Sequence, residues 1–273
     1  MSQDRSIATR RCYPWHLAVI TGAASGIGRC FAERLAADGC ALLLIDRNDC
    51  DITCQGASIS SLRIDLTEPD AADRIMAHLD EHSLYPDLLI NNAGIFDFKA
   101  VCDLTPERIN VYIDLHIRAV THLSRQMAMR MAAHGGGNIL NMSSMSCWMP
   151  MPGIALYSAT KAYIRVLSRA LNVEMRQSGV TVTVACPGGI ATDLFGLPRN
   201  LQRLGVRVGA LTTPEKFVRN ALKRCARRKA QYINGVLNRL AIPSVAMLPS
   251  RVRLLIKTRL LDRQTKSDTT HHE

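Results

Sequence analysis

Short apolar runs alternate with longer amphipathic stretches along most of this chain. Residues 16–20, 41–45, 62–64, 88–90, 138–142 and 180–185 are brief and often rich in Val, Ile and Leu. Gly, Asp, Asn or Pro bounds them, so they read as strands. Helix-length segments lie between them, at about 27–38, 69–82, 106–133 and 156–178. Leu115, Ala119, His122 and Leu123 recur at helical spacing in one of these, and Leu167, Leu171 and Met175 in another. Thr105, Pro106 and Glu107 make a helix start: a capping hydroxyl, proline at the first helical position, then an acid in the first turn. The stretch 46–61 is polar and aperiodic and reads as a loop or a degraded helix. Strand and helix in repeated alternation predict an α/β fold, a doubly wound parallel sheet covered on both faces.

At 273 residues the chain is long enough for one large domain with a full core. No apolar run approaches the roughly 18–20 residues that cross a bilayer. No apolar stretch follows Arg5, Arg10 and Arg11, so a secretory leader is not expected, and the expected location is cytoplasmic. The nine cysteines are scattered, without Cys-x-x-Cys spacing, and read as reduced thiols; no metal is expected.

Charge adds a second feature. Residues 1–199 hold 18 Lys and Arg against 19 Asp and Glu, whereas residues 200–273 hold 16 against 4. The whole positive excess sits in the last quarter, where an acidic partner or surface can meet it.

Candidate chemistry begins at Thr21-Gly22-Ala23-Ala24-Ser25-Gly26-Ile27-Gly28, between the first strand and first helix. Its three glycines permit a tight turn and let backbone N–H groups approach a pyrophosphate at a helix N-terminus. The spacing is not that of a Walker loop. Asp46 ends the second strand, 24 residues past Gly22. A carboxylate there accepts hydrogen bonds from a ribose and repels a 2′-phosphate, which favours NAD. Arg47 beside it can hold that phosphate or lie in solvent, so NADP stays the alternative. Further on, Tyr157 and Lys161 are four apart, one turn of one helix face. A phenol titrates near 10, and a neighbouring ammonium is expected to lower that value. Ser144 lies 13 residues before Tyr157, at the end of the fifth strand. Proton donor, tuner and orienter together suit carbonyl reduction or alcohol oxidation beside a hydride carrier.

With these motifs in order, the chain resembles the short-chain dehydrogenase/reductase family over about residues 15–195. The resemblance implies a single-domain Rossmann fold. It implies cofactor contacts at Thr21, Gly22, Ser25, Gly26, Ile27, Gly28, Asp46, Arg47, Asp65, Leu66, Asn92, Ala93, Gly94, Tyr157 and Lys161, and at Pro187, Gly188, Ile190 and Thr192. Asn91-Asn92-Ala93-Gly94 matches the family segment after the fourth strand, and Asp65 stands at its adenine-contacting position. It makes Tyr157 the acid/base, Lys161 the residue that tunes it and binds the nicotinamide ribose, and Ser144 the orienter of the substrate oxygen. The fourth catalytic position, usually Asn, falls on His116. Imidazole donates and accepts, so it can hold the same relay water; a histidine that only packs is the competing account. The family usually forms dimers or tetramers, which implies a homo-oligomer.

Met145, Cys147, Trp148, Met149, Pro150, Met151 and Pro152 follow Ser144, and Leu194, Phe195 and Leu197 follow Thr192. These apolar stretches suggest a pocket for a lipophilic secondary alcohol or ketone, of hydroxysteroid or 3-oxoacyl type, with core packing as the alternative for the first stretch. The expected organisation is a tail at 1–13, the main domain at 14–240 with a helical substrate lid at about 193–230, and a basic extension at 241–273. Thr213-Pro214-Glu215 starts a helix to about Lys229, buried through Phe217, Val218, Ala221, Leu222 and Cys225, and residues 231–236 suggest a seventh strand. Residues 241–248 are apolar but broken by Pro243, and 265–273 read as disordered. In 251–262, Val252, Leu255, Ile256 and Leu260 share one face, and Arg251, Arg253 and Lys257 point largely elsewhere. That pattern fits peripheral contact with a membrane surface, and equally a helix docking on its own core or a second subunit. No nucleic-acid motif is present. The competing function is a catalytically impaired nucleotide-binding, membrane-associated interaction protein, which His116 alone favours.

Overall fold

The computed structural model describes residues 12–190 and 211–256. Seven strands, β1 (Leu17–Thr21), β2 (Ala41–Asp46), β3 (Ile59–Arg63), β4 (Leu88–Asn91), β5 (Gly137–Met142), β6 (Val180–Cys186) and β7 (Gln231–Ile233), form one sheet. Every pairing is parallel and the order is β3-β2-β1-β4-β5-β6-β7. The order reverses between β1 and β4, so the crevice of a doubly wound sheet opens beyond their C-terminal ends.

Two apolar layers cover the sheet. Helix α1 (Gly26–Ala36) and helix α6 (Pro214–Ala226) bury Phe31, Leu35, Phe217 and Leu222 on one face. Helix α2 (Ala71–Glu81) and the long helix that follows β4 bury Ile75, Leu79, Leu123 and Met127 on the other. Strands β1, β2, β4, β5 and β6 are buried on both faces, which is why they read as largely apolar runs. The whole is a single-domain Rossmann-like fold.

Both anticipated helix starts are present. Thr105 Oγ1 accepts from the Arg108 N–H at 3.2 Å and Thr213 Oγ1 from the Lys216 N–H at 3.4 Å, each with proline following.

Several expectations need correction. The third strand begins at Ile59 and ends at Arg63 rather than running 62–64, with no helix over the preceding loop. It is an edge strand with exposed Ser60, Ser61 and Arg63, so its apolar signal is weak. The helix expected over 106–133 is α3 (Pro106–Ile113), a π-helical stretch (Asp114–Ala119) and α4 (Val120–Ala133). His122, placed on its apolar face, is exposed. The seventh strand stops at Ile233, and Pro243 lies inside helix α7 (Val236–Ala246) rather than ending one. Tyr13 is buried against Trp15, their rings 5.7 Å apart, so it belongs to the packed body and not to a tail. Most of the supposed lid that is described is α6, a core helix packed on α1. Residues 193–210 of that lid, with Leu194, Phe195 and Leu197, lie outside the described residues.

Candidate active site

The glycine turn is built by interlocking two loops at the crevice. Gly22 has φ +65° and donates its N–H to Ile45 O at 2.8 Å. A Cβ there would lie 2.8 Å from Ala93 Cα, so both the dihedral and the approach require glycine. At Gly28 a Cβ would lie 1.9 Å from Gly22 O. Thr21 Oγ1 accepts from the N–H groups of Asn92 and Ala93 at 3.0 and 3.1 Å, and Asn92 Nδ2 donates to Thr21 O and Gly22 O at 3.1 Å each. The loops after β1 and β4 are thereby one rigid floor. Ser25 is the N-cap of α1, yet its hydroxyl caps nothing, and open space surrounds the Cβ position of Gly26. The start of α1 thus faces the crevice with unused donors.

A cleft of about 450 Å³ runs from this floor to the Tyr157 helix. Gly22, Ser25, Gly26, Ile27, Asp46, Arg47, Asp65, Leu66, Asn92, Ala93, Gly94, Tyr157, Lys161 and Pro187 all line it. Asp46 Oδ2 accepts from the Ala24 N–H at 3.0 Å and Oδ1 from the Asn48 N–H at 2.9 Å, which pins the carboxylate at the cleft edge. Asp65 accepts from the backbone and hydroxyl of Thr67 at 2.9 and 2.7 Å. Burial raises its pKa, but those bonds and the nearby Arg47 outweigh it, so the carboxyl titrates below its usual range.

Gly188 and Ile190 do not line this cleft. Gly188 donates its N–H to Asn234 Oδ1 at 2.6 Å, and the Asn238 side chain occupies the space where its Cβ would stand. Ile190 is buried and bridges to Thr212. Thr192 lies outside the described residues. None of residues 145–152 lines the cleft either. They form a 3-10 turn (Met145–Trp148) and a half-buried loop, with Arg165 4.5 Å above the Trp148 ring. Asn234 and Asn238 were missed in the sequence; they sit just beyond a three-residue strand and carry no motif that marks them.

Helix α5 (Ala155–Glu174) carries Tyr157, Thr160 and Lys161 on its buried side. Ser144 lies two residues past β5, capping the 3-10 turn, where its Oγ accepts from the Ser146 N–H at 3.1 Å. Lys161 Nζ donates to Met142 O at 3.0 Å and lies 5.7 Å from the Tyr157 ring centroid. The anticipated lowering of the phenol by the ammonium is not what the structure produces. Burial pushes Tyr157 up to about 12, against a smaller opposite pull from its hydrogen bond with Ser144. Burial also brings Lys161 down to about 8. Desolvation disfavours both charged forms, and in a dry enclosure it dominates the pair attraction.

His116 is fully buried in the π-helical stretch. Its Nε2 accepts from the Ile95 N–H at 3.0 Å. That nitrogen is therefore unprotonated, the proton sits on Nδ1, and Nδ1 donates to Thr160 Oγ1 at 2.9 Å. Thr160 in turn donates to Tyr157 O at 2.9 Å. Burial, then the nearby Lys161 and Arg108 charges, hold the imidazole well below its ordinary pKa, so it is neutral. Its ring stands edge-on to Tyr157, centroids 6.0 Å apart, and a Cβ on Gly94 would lie 3.0 Å from its Nε2. On the same helix face, Arg108 pairs with both oxygens of Asp97 at 2.7 and 3.1 Å, and the Asp97 N–H donates to Tyr112 OH at 2.6 Å. Both imidazole nitrogens bridge the loop after β4 to α5.

A parallel sheet with this floor, cleft and tyrosine–lysine helix defines a dinucleotide-type oxidoreductase scaffold. Residues 16–200 match the family model described as short chain dehydrogenase, and the chain belongs to that family of oxidoreductases. It is 32% identical to a very-long-chain 3-oxoacyl-CoA reductase from Bos taurus, over 77% of this chain and 69% of that one. It is 30% identical to the 17-beta-hydroxysteroid dehydrogenase type 3 of Mus musculus, over 90% of this chain and 82% of that one. A solved short-chain dehydrogenase from Sphingobium yanoikuyae, in complex with NADPH, superposes with a TM-score of 0.70 at 30% identity, covering 85% of this chain and 93% of that one.

Proposed function

We propose that this protein is an NAD(P)-dependent oxidoreductase acting on a lipophilic secondary alcohol or ketone, with Tyr157 as its acid/base. The observation that carries the reading is the continuity of one cleft from the glycine floor to Tyr157 and Lys161. The residues present fit a dinucleotide. Gly22 and Gly28 leave no room for a side chain where backbone must approach, and the unused donors at the start of α1 suit a pyrophosphate. Asp46 and Arg47 would hold the adenosine ribose, Asp65 and Leu66 the adenine side, and Asn92, Ala93, Gly94, Lys161 and Pro187 the nicotinamide half. When bound, the nicotinamide would supply or take up the hydride. Tyr157, protonated at neutral pH, donates its proton to the substrate oxygen in reduction and takes it back in oxidation. Ser144, whose hydroxyl pulls on that phenol, orients the same oxygen.

A 3-oxoacyl or hydroxysteroid substrate is supported by the two relatives named above. The test follows reduced-nicotinamide absorbance with long-chain 3-oxoacyl thioesters, steroids, and sugars or polyols. Turnover of the first two classes is expected; turnover of polyols alone would overturn the lipophilic assignment, and no nucleotide binding at all would overturn the function.

Asp46 at the ribose end favours NAD over NADP, since a 2′-phosphate would sit against a carboxylate that two backbone N–H groups already fix in place. Asp46→Ser is expected to shift the ratio of kcat/KM values toward NADP by about tenfold or more, the worth of one like-charge contact of about 1.4 kcal/mol. Arg47 remains to pair with the phosphate. An unchanged ratio would show that Asp46 does not read the ribose.

The basic C-terminal quarter fits peripheral contact with an anionic membrane. Leu240 and Met247, one heptad apart on and just past α7, are 68% and 81% exposed, and Arg239 and Arg251 are exposed beside them. Helix α7 packs against the turn after Ser144, so a lipophilic substrate would leave the bilayer close to the reaction centre. Flotation with anionic but not zwitterionic vesicles is the expected result, lost on Leu240→Glu with Met247→Glu. The same reading includes a homo-oligomer, supported by exposed Met129, Val166 and Val173 on α4 and α5; a monomeric mass by light scattering would remove that part.

A further inference from the structure

The cysteine spacing carries no metal expectation, but helix α2 ends in a different ligand set. His78, Glu81 and His82 stand at i, i+3 and i+4, one face of the last turn. The adjoining face, with Ala71, Ala72, Ile75 and Leu79, is buried. One ligand atom from each of the three residues lies within 4.8 Å of the other two. Among the described residues this is the only such group of three or more. The two imidazole rings are 4.2 Å apart at 34°.

We infer that His78, Glu81 and His82 form a binding site for a divalent transition-metal ion of the zinc class. Two imidazoles and one carboxylate are a ligand set that this ion takes, with water completing four-coordination. Two histidines four apart on one helix face are a recurrent way of presenting it. His82 is oriented in advance: its Nδ1 donates to His78 O at 2.9 Å, which fixes the proton on Nδ1 and leaves the Nε2 lone pair for a metal. The last turn of a helix also favours a cation, because its free carbonyls carry partial negative charge. The neighbouring Asp80 is committed elsewhere, to Arg130. Glu81 and His82 are exposed and His78 half-buried, so small rotamer changes can close the three donors onto an ion without disturbing the core. The ion would tie the end of α2 to the loop leading into β4. It stands apart from the nucleotide cleft, and nothing in the proposed reaction depends on it.

The probe is Co(II) titrated into the full chain, read by its visible absorption, with Zn(II) as competitor. One Co(II) per chain with imidazole–carboxylate bands, displaced by Zn(II), is the expected result, together with a rise in Tm on Zn(II) addition. His78→Ala and His82→Ala are each expected to weaken binding tenfold or more, since even outer partners are worth about 10–100-fold. Glu81→Gln should weaken it less. These side chains reach solvent, so the variants fold, and circular dichroism checks that they do. Thiolate-to-cobalt charge transfer would place the ion on a cysteine instead. Undiminished affinity in the double histidine variant would place it elsewhere, such as His271 and His272. Either result, or no saturable binding, overturns the inference.

Discussion

Tyr157→Phe is expected to lower turnover by about 10²–10⁴-fold, the usual worth of a positioned acid or base, while nucleotide affinity and Tm change little. The substitution removes one oxygen from a buried ring and leaves its packing intact. The edge-on contact with Phe96 at 5.0 Å and the ring contact with His116 both survive. Lys161 keeps its bond to Met142 O, because that bond does not pass through the phenol. Only the exchangeable proton goes.

The pH dependence of the unsubstituted protein tests the same assignment from another side. Burial holds the phenol up at about 12, so it is protonated through the neutral range. Carbonyl reduction, which needs the proton, should then be nearly flat from pH 6 to 8. Alcohol oxidation needs the phenolate, whose fraction rises tenfold per pH unit below the pKa. Its kcat/KM should climb with pH toward that limit. Lys161 moves the other way. It loses its charge near pH 8 rather than near 10.5, so whatever help the ammonium gives fades above pH 8. An oxidation rate that falls between pH 6 and 8, or a Tyr157→Phe variant that turns over normally, would remove Tyr157 from the chemistry.

How much of this was legible in the residues follows the range of the interaction concerned. The glycine turn and the tyrosine–lysine pair are local, and their spacing alone placed them on a strand–helix junction and on one helix face. The sheet was legible because its central strands are apolar on both faces; β3 was misplaced because an edge strand is not. Nonlocal effects left no mark. No window around Tyr157 shows that its burial outweighs a neighbouring ammonium. The π-helical stretch breaks the helical period without a proline or glycine to announce it. The reading of α6 as part of a lid failed because its apolar face fits a core as well as a substrate, and only packing on α1 decides. His116 was noticed as a departure at its position, yet its partners lie 21 and 44 residues away.

Those partners turn His116 from a candidate relay into a brace, and its replacement has the second large expected effect. His116→Ala leaves the Ile95 N–H without its acceptor, and opens a cavity where a fully buried ring had been. An orphaned buried donor costs about 1–3 kcal/mol, and the lost packing adds to it. A total of about 3 kcal/mol should lower Tm by roughly 6–12 °C in a domain of this size. Turnover should fall too, because the loop carrying Gly94 and the helix carrying Tyr157 lose their common tie. The shape of the pH profile should not change. Burial holds the imidazole well below its ordinary pKa, so it is neutral in the neutral range, and neither nitrogen is free to pass a proton. The conservative variants separate the two bonds. Glutamine can place a carbonyl near the Nε2 position and keep the Ile95 bond; asparagine can reach only toward Thr160, whose hydroxyl already has Tyr157 O as a partner. Stability and rate are therefore expected in the order His, Gln, Asn, Ala. A relay predicts otherwise: an altered pH profile with normal stability, and glutamine no better than alanine.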